Sequence, residues 1–158
     1  MKRILFVCTG NLCRSVLAEY LFRDIVEKAG RGDAYDISSA GTMGLEGNLS
    51  PTETLEAGRE HGVDLEPHRA RRLTKELVRE ADWIFGMELA HCRAALELDP
   101  RAQYKIRLLG HFAPMSGGEV PDPYGRPVKA HLHSAEVILR SLPGLFQELE
   151  KESAQEES

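Results

Sequence analysis

No apolar run in the chain exceeds five residues. The longest, Ile4 to Cys8, is far short of the roughly 20 residues that cross a bilayer and too short for the core of a signal peptide. The expectation is a cytoplasmic protein with no membrane partner. Cysteine is scarce: the chain has three, an odd number, and two of them, Cys8 and Cys13, sit five positions apart. That excludes a secreted disulfide framework and points to reduced thiols with chemistry of their own. A structural zinc site needs four ligands, and no His or further Cys lies at a suitable spacing from this pair, so neither metal nor cofactor is expected. A broad basic field is missing too. The densest cluster, Arg69, Arg71 and Arg72, is interleaved with Glu66 and Glu76, a mixed surface that excludes nucleic acid as the expected partner. There is no internal repeat, linker or low-complexity block.

The remainder is an ordinary globular composition. Hydrophobic residues make up 42% and charged residues 28% of 158, a size that supports one domain with one core. The net charge is -5, and Glu148 to Ser158 carries -4 of it, so the body is close to neutral. Residues 1–150 are read as the domain and 151–158 as an acidic tail that frays.

Branched apolar residues from Arg3 to Val7 predict a buried strand. From Ser15, Leu17, Leu21 and Ile25 recur at helical spacing until Gly30. Strands are also predicted at Tyr35 to Ala40, Trp83 to Phe85 and Tyr104 to Leu109. Helices are predicted at Thr52 to His61, Thr74 to Glu80 and Glu88 to Leu98. Gly110 to Pro127 reads as a loop punctuated by Pro114, Gly117, Gly118, Pro121, Pro123 and Gly125. A last helical stripe, Ala135 to Leu149, is broken by Pro143-Gly144, which should kink or restart it. Strands alternating with helices predict an α/β fold, a parallel sheet with helices on both faces, whose site lies at the carboxyl ends of the strands. The first strand ends at Cys8.

Between that strand and its helix runs Cys8-Thr9-Gly10-Asn11-Leu12-Cys13-Arg14-Ser15. Five residues between Cys8 and Arg14, Gly10 among them, let the backbone curl so that successive amides point inward at a helix N-terminus, a nest for a tetrahedral oxyanion. Arg14 can close it with a bidentate fork. The same amides, the helix dipole and the guanidinium favour the thiolate of Cys8, and Ser15 can donate to its sulfur. The predicted reaction is attack of Cys8 on phosphorus, giving a cysteinyl phosphate that water hydrolyses. Such a route needs an acid for the leaving oxygen and then a base for water. Asp122, in Asp122-Pro123-Tyr124, is a candidate for both, and Asp-Pro is equally at home in an ordinary turn. Taken singly, Asn11 fits a turn residue, Ser39 a strand-end hydroxyl, His68 a surface histidine and Cys92 a structural or exposed thiol.

These motifs, with Ser39-Ala-Gly-Thr42 and His68-Arg-Ala-Arg71, stand in the order and spacing of the low-molecular-weight protein-tyrosine phosphatase family, which the chain resembles from about Lys2 to Leu149. The resemblance implies a single-domain α/β/α fold with a four-stranded parallel sheet and an N-terminal strand–phosphate loop–helix unit. It implies metal-independent hydrolysis of phosphotyrosine-like monoesters on proteins or peptides, inhibited by phosphate-like oxyanions. Cys8 would be the nucleophile, Arg14 the phosphate clamp and Asp122 the general acid, with Thr9 to Ser15 binding phosphate and Asn11, Ser39 and His68 supporting the loop. Cys13 would be the redox partner of Cys8, trapping it as a disulfide before it over-oxidises; a plain buried thiol is the other reading.

The chain also departs from the pattern. Val16 stands where many members have Pro, which predicts a looser helix start. Met43, Gly44 and Leu45 supply no aromatic wall where tyrosine-directed members carry one, leaving Leu12, Leu45 and Tyr124 as walls. Leu12 favours phosphotyrosine, because the related protein-arginine phosphatases place Thr there; phosphoarginine is the alternative. Arsenate reductases of this fold pass electrons through further downstream cysteines, and only Cys92 lies downstream here. A silent phosphate-binding module would be expected to lose Cys8 or Asp122, and both are present.

Overall fold

The structure, a computed structural model, describes residues 1–113 and 118–157. Four parallel strands, β1 (Lys2–Cys8), β2 (Tyr35–Gly41), β3 (Trp83–Gly86) and β4 (Ile106–Leu108), form one sheet in the order β2-β1-β3-β4. β1 is central, with Cys8 opposite Gly41 of β2 and Val7 opposite Gly86 of β3. Around the sheet lie α1 (Arg14–Lys28), α2 (Thr52–Glu60), α3 (Lys75–Glu80), α4 (Leu89–Leu98) and α5 (Val128–Glu157). The pleat of β1 separates two cores: Ile4, Phe6 and Cys8 pack with α1 and α5, while Leu5 and Val7 pack with Val78 of α3 and Ala95 of α4. This is a three-layer α/β/α arrangement. The connections from β1 and β3 diverge to opposite faces, so the carboxyl end of β1 sits at the switch point where such sheets bind ligands.

Several local expectations are corrected. β4 is three residues long because Tyr104 and Lys105 finish a 3-10 turn, Pro100–Lys105. Lys105 is buried there and its ammonium donates to the carbonyls of Ala81 (2.6 Å) and Arg79 (3.2 Å) at the end of α3, where a helix carries partial negative charge. α1 starts at Arg14, and Val16 is wholly buried in the core. α5 runs unbroken through Pro143. Gly144 beside it allows close packing, since a Cβ there would lie 2.7 Å from the carbonyl oxygen of Phe112. Residues 151–157, expected to fray, continue α5 because they are tied down: Glu152 accepts from the Trp83 indole (2.8 Å) and pairs with Lys2 (3.2 Å). The expected loop positions Pro114 and Gly117 lie outside the described residues, and among those described no helix is long and apolar enough to cross a membrane.

Candidate active site

Residues 9–13 join β1 to α1 in a tight curl. Asn11 adopts φ 58°, a left-handed conformation that Asn tolerates better than most residues because its short polar side chain bonds locally. Cys13 caps α1 without a side-chain hydrogen bond, and the first turn holds no acidic residue. The helix therefore opens toward the curl with its amides uncapped by side chains and its positive end unneutralised.

The hydrogen bonds around Asn11 have determined directions. Its amide nitrogen donates to Ser15 Oγ (2.8 Å) and Ser39 Oγ (2.9 Å), and its Oδ1 accepts from the Arg71 backbone amide (2.9 Å). Ser15 thus accepts from Asn11 and has its own proton for Cys8 Sγ, 2.9 Å away. Ser39 likewise accepts from Asn11 and donates to Glu19 (2.6 Å), which Arg23 neutralises. His68 Nε2 donates to the Asn11 carbonyl (2.9 Å), and burial pushes its pKa down, favouring the neutral ring. The structure brings Asn11, Ser39 and His68 together as one buried network behind the sulfur of Cys8.

Arg14, the first residue of α1, is 2% exposed. Its guanidinium donates to Glu88 (2.6 Å) and to the Val120 carbonyl (2.9 Å), and its other nitrogen lies 3.8 Å from Asp122. The Val120 N–H donates to the Met87 carbonyl just past β3 (2.9 Å), and the Pro121 carbonyl accepts from Ser134 of α5 (2.8 Å). These two anchors place the next residue, Asp122, at the rim. There Asp122 Oδ1 accepts from the Tyr124 amide (3.1 Å), so the turn and the rim position coexist. On the opposite side, Thr42 and Met43 donate to the Cys8 and Thr9 carbonyls (2.9 Å each), fixing the loop after β2 against the curl. The open cavity between them, 270 Å³, is lined by Cys8, Thr9, Gly10, Leu12, Cys13, Arg14, Met43, Leu45, Asp122 and Tyr124. Its floor offers a thiol, amides and a guanidinium, its rim a carboxyl group, and its walls are apolar or aromatic. That combination suits a phosphomonoester with an apolar leaving group.

The family model described as low molecular weight phosphotyrosine protein phosphatase matches residues 3–155. The chain belongs to this family. It is 41% identical over 130 residues to a low molecular weight protein-tyrosine-phosphatase of Streptomyces coelicolor, covering 77% of each chain. The crystal structure of a protein tyrosine phosphatase from Entamoeba histolytica, with Hepes in its active site, superposes with a TM-score of 0.91 at 25% identity, covering 97% of this chain and 99% of the other. An arginine phosphatase, YwlE, from Geobacillus stearothermophilus superposes with a TM-score of 0.85 at 28% identity, covering 98% and 97%.

Within this phosphatase chain the structure adds residues that motif reading passed over. Glu88 pairs with the buried Arg14, His91 bonds Thr9, and Glu19 ends the Asn11–Ser39 chain. Met43 joins the wall. Thr54 bonds Cys13 and His131. The one sequence signal for any of these was Glu88-x-x-His91 at the start of α4, a spacing that lets the two residues bond reciprocally. Leu45 and Tyr124 line the cavity while staying 49% and 60% exposed, open to a substrate. Burial pushes the Cys13 thiol up to about 12, with Cys8 a lesser contribution in the same direction. Cys92 is half-buried and donates to the Arg107 carbonyl.

Proposed function

We propose that the chain is a protein-tyrosine phosphatase working through a cysteinyl phosphate. A phosphoryl group enters the curl with its oxygens on the amides of residues 9–15 and on the Arg14 fork. Cys8 Sγ forms the S–P bond as the P–O bond to the tyrosyl oxygen breaks, and the Asp122 carboxyl group gives that oxygen its proton. The Asp122 carboxylate then takes a proton from water, whose oxygen attacks phosphorus; the S–P bond breaks and Cys8 leaves as thiolate, received by the Ser15 hydroxyl. Asn11, Ser39 and His68 hold the loop in shape. The observation that carries this reading is the convergence of Cys8, Arg14 and Asp122 on one cavity, with Ser15 aimed at the sulfur.

Phosphotyrosine is the preferred substrate because Leu12, Leu45, Met43 and Tyr124 offer apolar and aromatic surface to a neutral ring. Phosphoarginine is the second reading, carried by the likeness to the Geobacillus arginine phosphatase. The partner is a phosphorylated protein or peptide. Phosphate-like oxyanions compete for the nest, in keeping with the sulphate complex of the tyrosine phosphatase Wzb from Escherichia coli K30. The test compares hydrolysis of phosphotyrosine, phosphoarginine and phosphoserine peptides, and arsenate turnover, for the wild type and Cys8→Ser. Phosphotyrosine turnover should lead, and Cys8→Ser should lose it by about 10³-fold or more. Undiminished turnover by Cys8→Ser would sink the mechanism, and faster phosphoarginine turnover would reassign the substrate.

A further inference from the structure

His91 is buried behind the phosphate loop, on the opposite side from the Asn11 network, and two hydrogen bonds determine its tautomer. The Glu88 backbone N–H donates to Nδ1 (3.0 Å), so Nδ1 carries a lone pair. In the neutral ring the proton is then on Nε2, which lies 2.9 Å from Thr9 Oγ1. Burial, reinforced by the neighbouring Arg14, pushes His91 down to about 4 against the opposing pull of Glu88, Asp122 and Glu119, and so keeps the ring neutral at ordinary pH. Nε2–H therefore donates to the Thr9 oxygen. A hydroxyl that accepts in this way retains its own proton, and among the described residues that oxygen makes no other hydrogen bond. Thr9 lines the cavity beside Cys8 and Arg14.

We propose that the Thr9 hydroxyl is a side-chain donor to the bound phosphoryl group, supplementing the backbone amides, and that His91 is the positioning residue that turns its proton toward the cavity. Without the Nε2–H bond, the hydroxyl is free to rotate and to donate to solvent. With it, one lone pair is occupied and the O–H vector is confined to the remaining directions, leaving it available to a phosphoryl group in the cavity that Thr9 lines. The proposal rests on phosphate occupying the Cys8 loop, as in the function proposed above.

The experiment measures the dissociation constant of inorganic phosphate by calorimetry, with kcat and KM for p-nitrophenyl phosphate. Thr9 is exposed, so its variants are expected to fold. Thr9→Val should weaken phosphate binding about tenfold to a hundredfold, the loss of one hydrogen bond to a charged group, while Thr9→Ser stays within about twofold of wild type. His91→Asn retains an acceptor for the Glu88 N–H but is too short to reach Thr9, and should match Thr9→Val. His91→Gln, whose amide N–H reaches Thr9, should recover most of the affinity. The Thr9→Val/His91→Asn double variant should be no weaker than either single one. Unchanged phosphate binding in Thr9→Val would overturn the proposal, as would a Thr9→Ser as weak as Thr9→Val or additive losses in the double variant. A wild type that binds phosphate with these dependences yet hydrolyses no ester would instead overturn the proposed function and leave the Thr9 assignment standing.

Discussion

Arg14 carries a full charge at 2% exposure, a placement tolerable only because Glu88 and the Val120 carbonyl share its donors. Asp122 lies 3.8 Å from the same guanidinium and is about half exposed, so its carboxyl group faces the open rim of the cavity. If it protonates the leaving oxygen, Asp122→Ala should slow turnover by about 10²- to 10³-fold for poor leaving groups and far less for good ones. A Brønsted plot across phenyl phosphates checks this, and equal slowing throughout would contradict the role. The two loop cysteines are unlike each other. Burial holds Cys13 protonated, with its thiol pushed up to about 12 and bonded to Thr54, whereas Cys8 receives the Ser15 hydroxyl. Peroxide should therefore react first at Cys8, and Cys13 should then close the disulfide. Dithiothreitol should restore activity to the peroxide-treated wild type, and Cys13→Ser should lose about tenfold more of its activity irreversibly, as followed by mass spectrometry of Cys8. Identical recovery of the two proteins would leave Cys13 as a packing thiol.

At the scale of elements, the phosphate loop is shaped from outside as much as from within. β2 ends at Gly41 directly under it, and a Cβ there would lie 2.5 Å from the Thr9 carbonyl oxygen and 2.8 Å from the Asn11 amide nitrogen. Both contacts are with backbone, so neither can swing aside. Gly41→Ala should leave the circular dichroism spectrum intact and lower kcat/KM by about 10²-fold, the scale of an ångström-sized misplacement at a reacting centre. Activity within a factor of about two would show that the loop accommodates the methyl group. This dependence also marks where reading the sequence stopped. Cys-x5-Arg between a strand and a helix was legible because the spacing itself encodes the curl. The contribution of Glu88 was not, because it stands 74 positions from Arg14 and meets it only when β3 lies beside β1. β4 and the unbroken α5 were misjudged for a related reason. A buried Lys105, sustained by carbonyls of another element, and a Pro143 inside a helix both defy local propensity.

Across the whole molecule, burial sets the response to acid. His68, His91 and His131 are all held below the ordinary histidine range, mainly by burial. The folded protein thus binds fewer protons than the unfolded chain in the window from about pH 6.5 down to about 4, the value for His91. Stability then rises with pH through this window and falls on acidification. The melting temperature should drop by several degrees from pH 7 to pH 5, each kcal/mol amounting to about 2–4 °C for a domain of this size. A flat profile would mean that the three rings take up protons without cost to the fold. The amino-acid sequence alone determined the layered α/β class and the curl from Cys8 to Arg14, because these depend on hydrophobic period and on residues a few positions apart; Asp122, more than a hundred positions away, stood out only through the family resemblance. Only the tertiary structure decided what surrounds them: the hydrogen bonds that join Asn11, Ser39 and His68, which the resemblance had grouped, the pairing of Arg14 with Glu88, and His91 against Thr9. Those contacts join segments dozens of residues apart, and they exist only where parallel strands bring the ends of separate crossovers to one edge of the sheet.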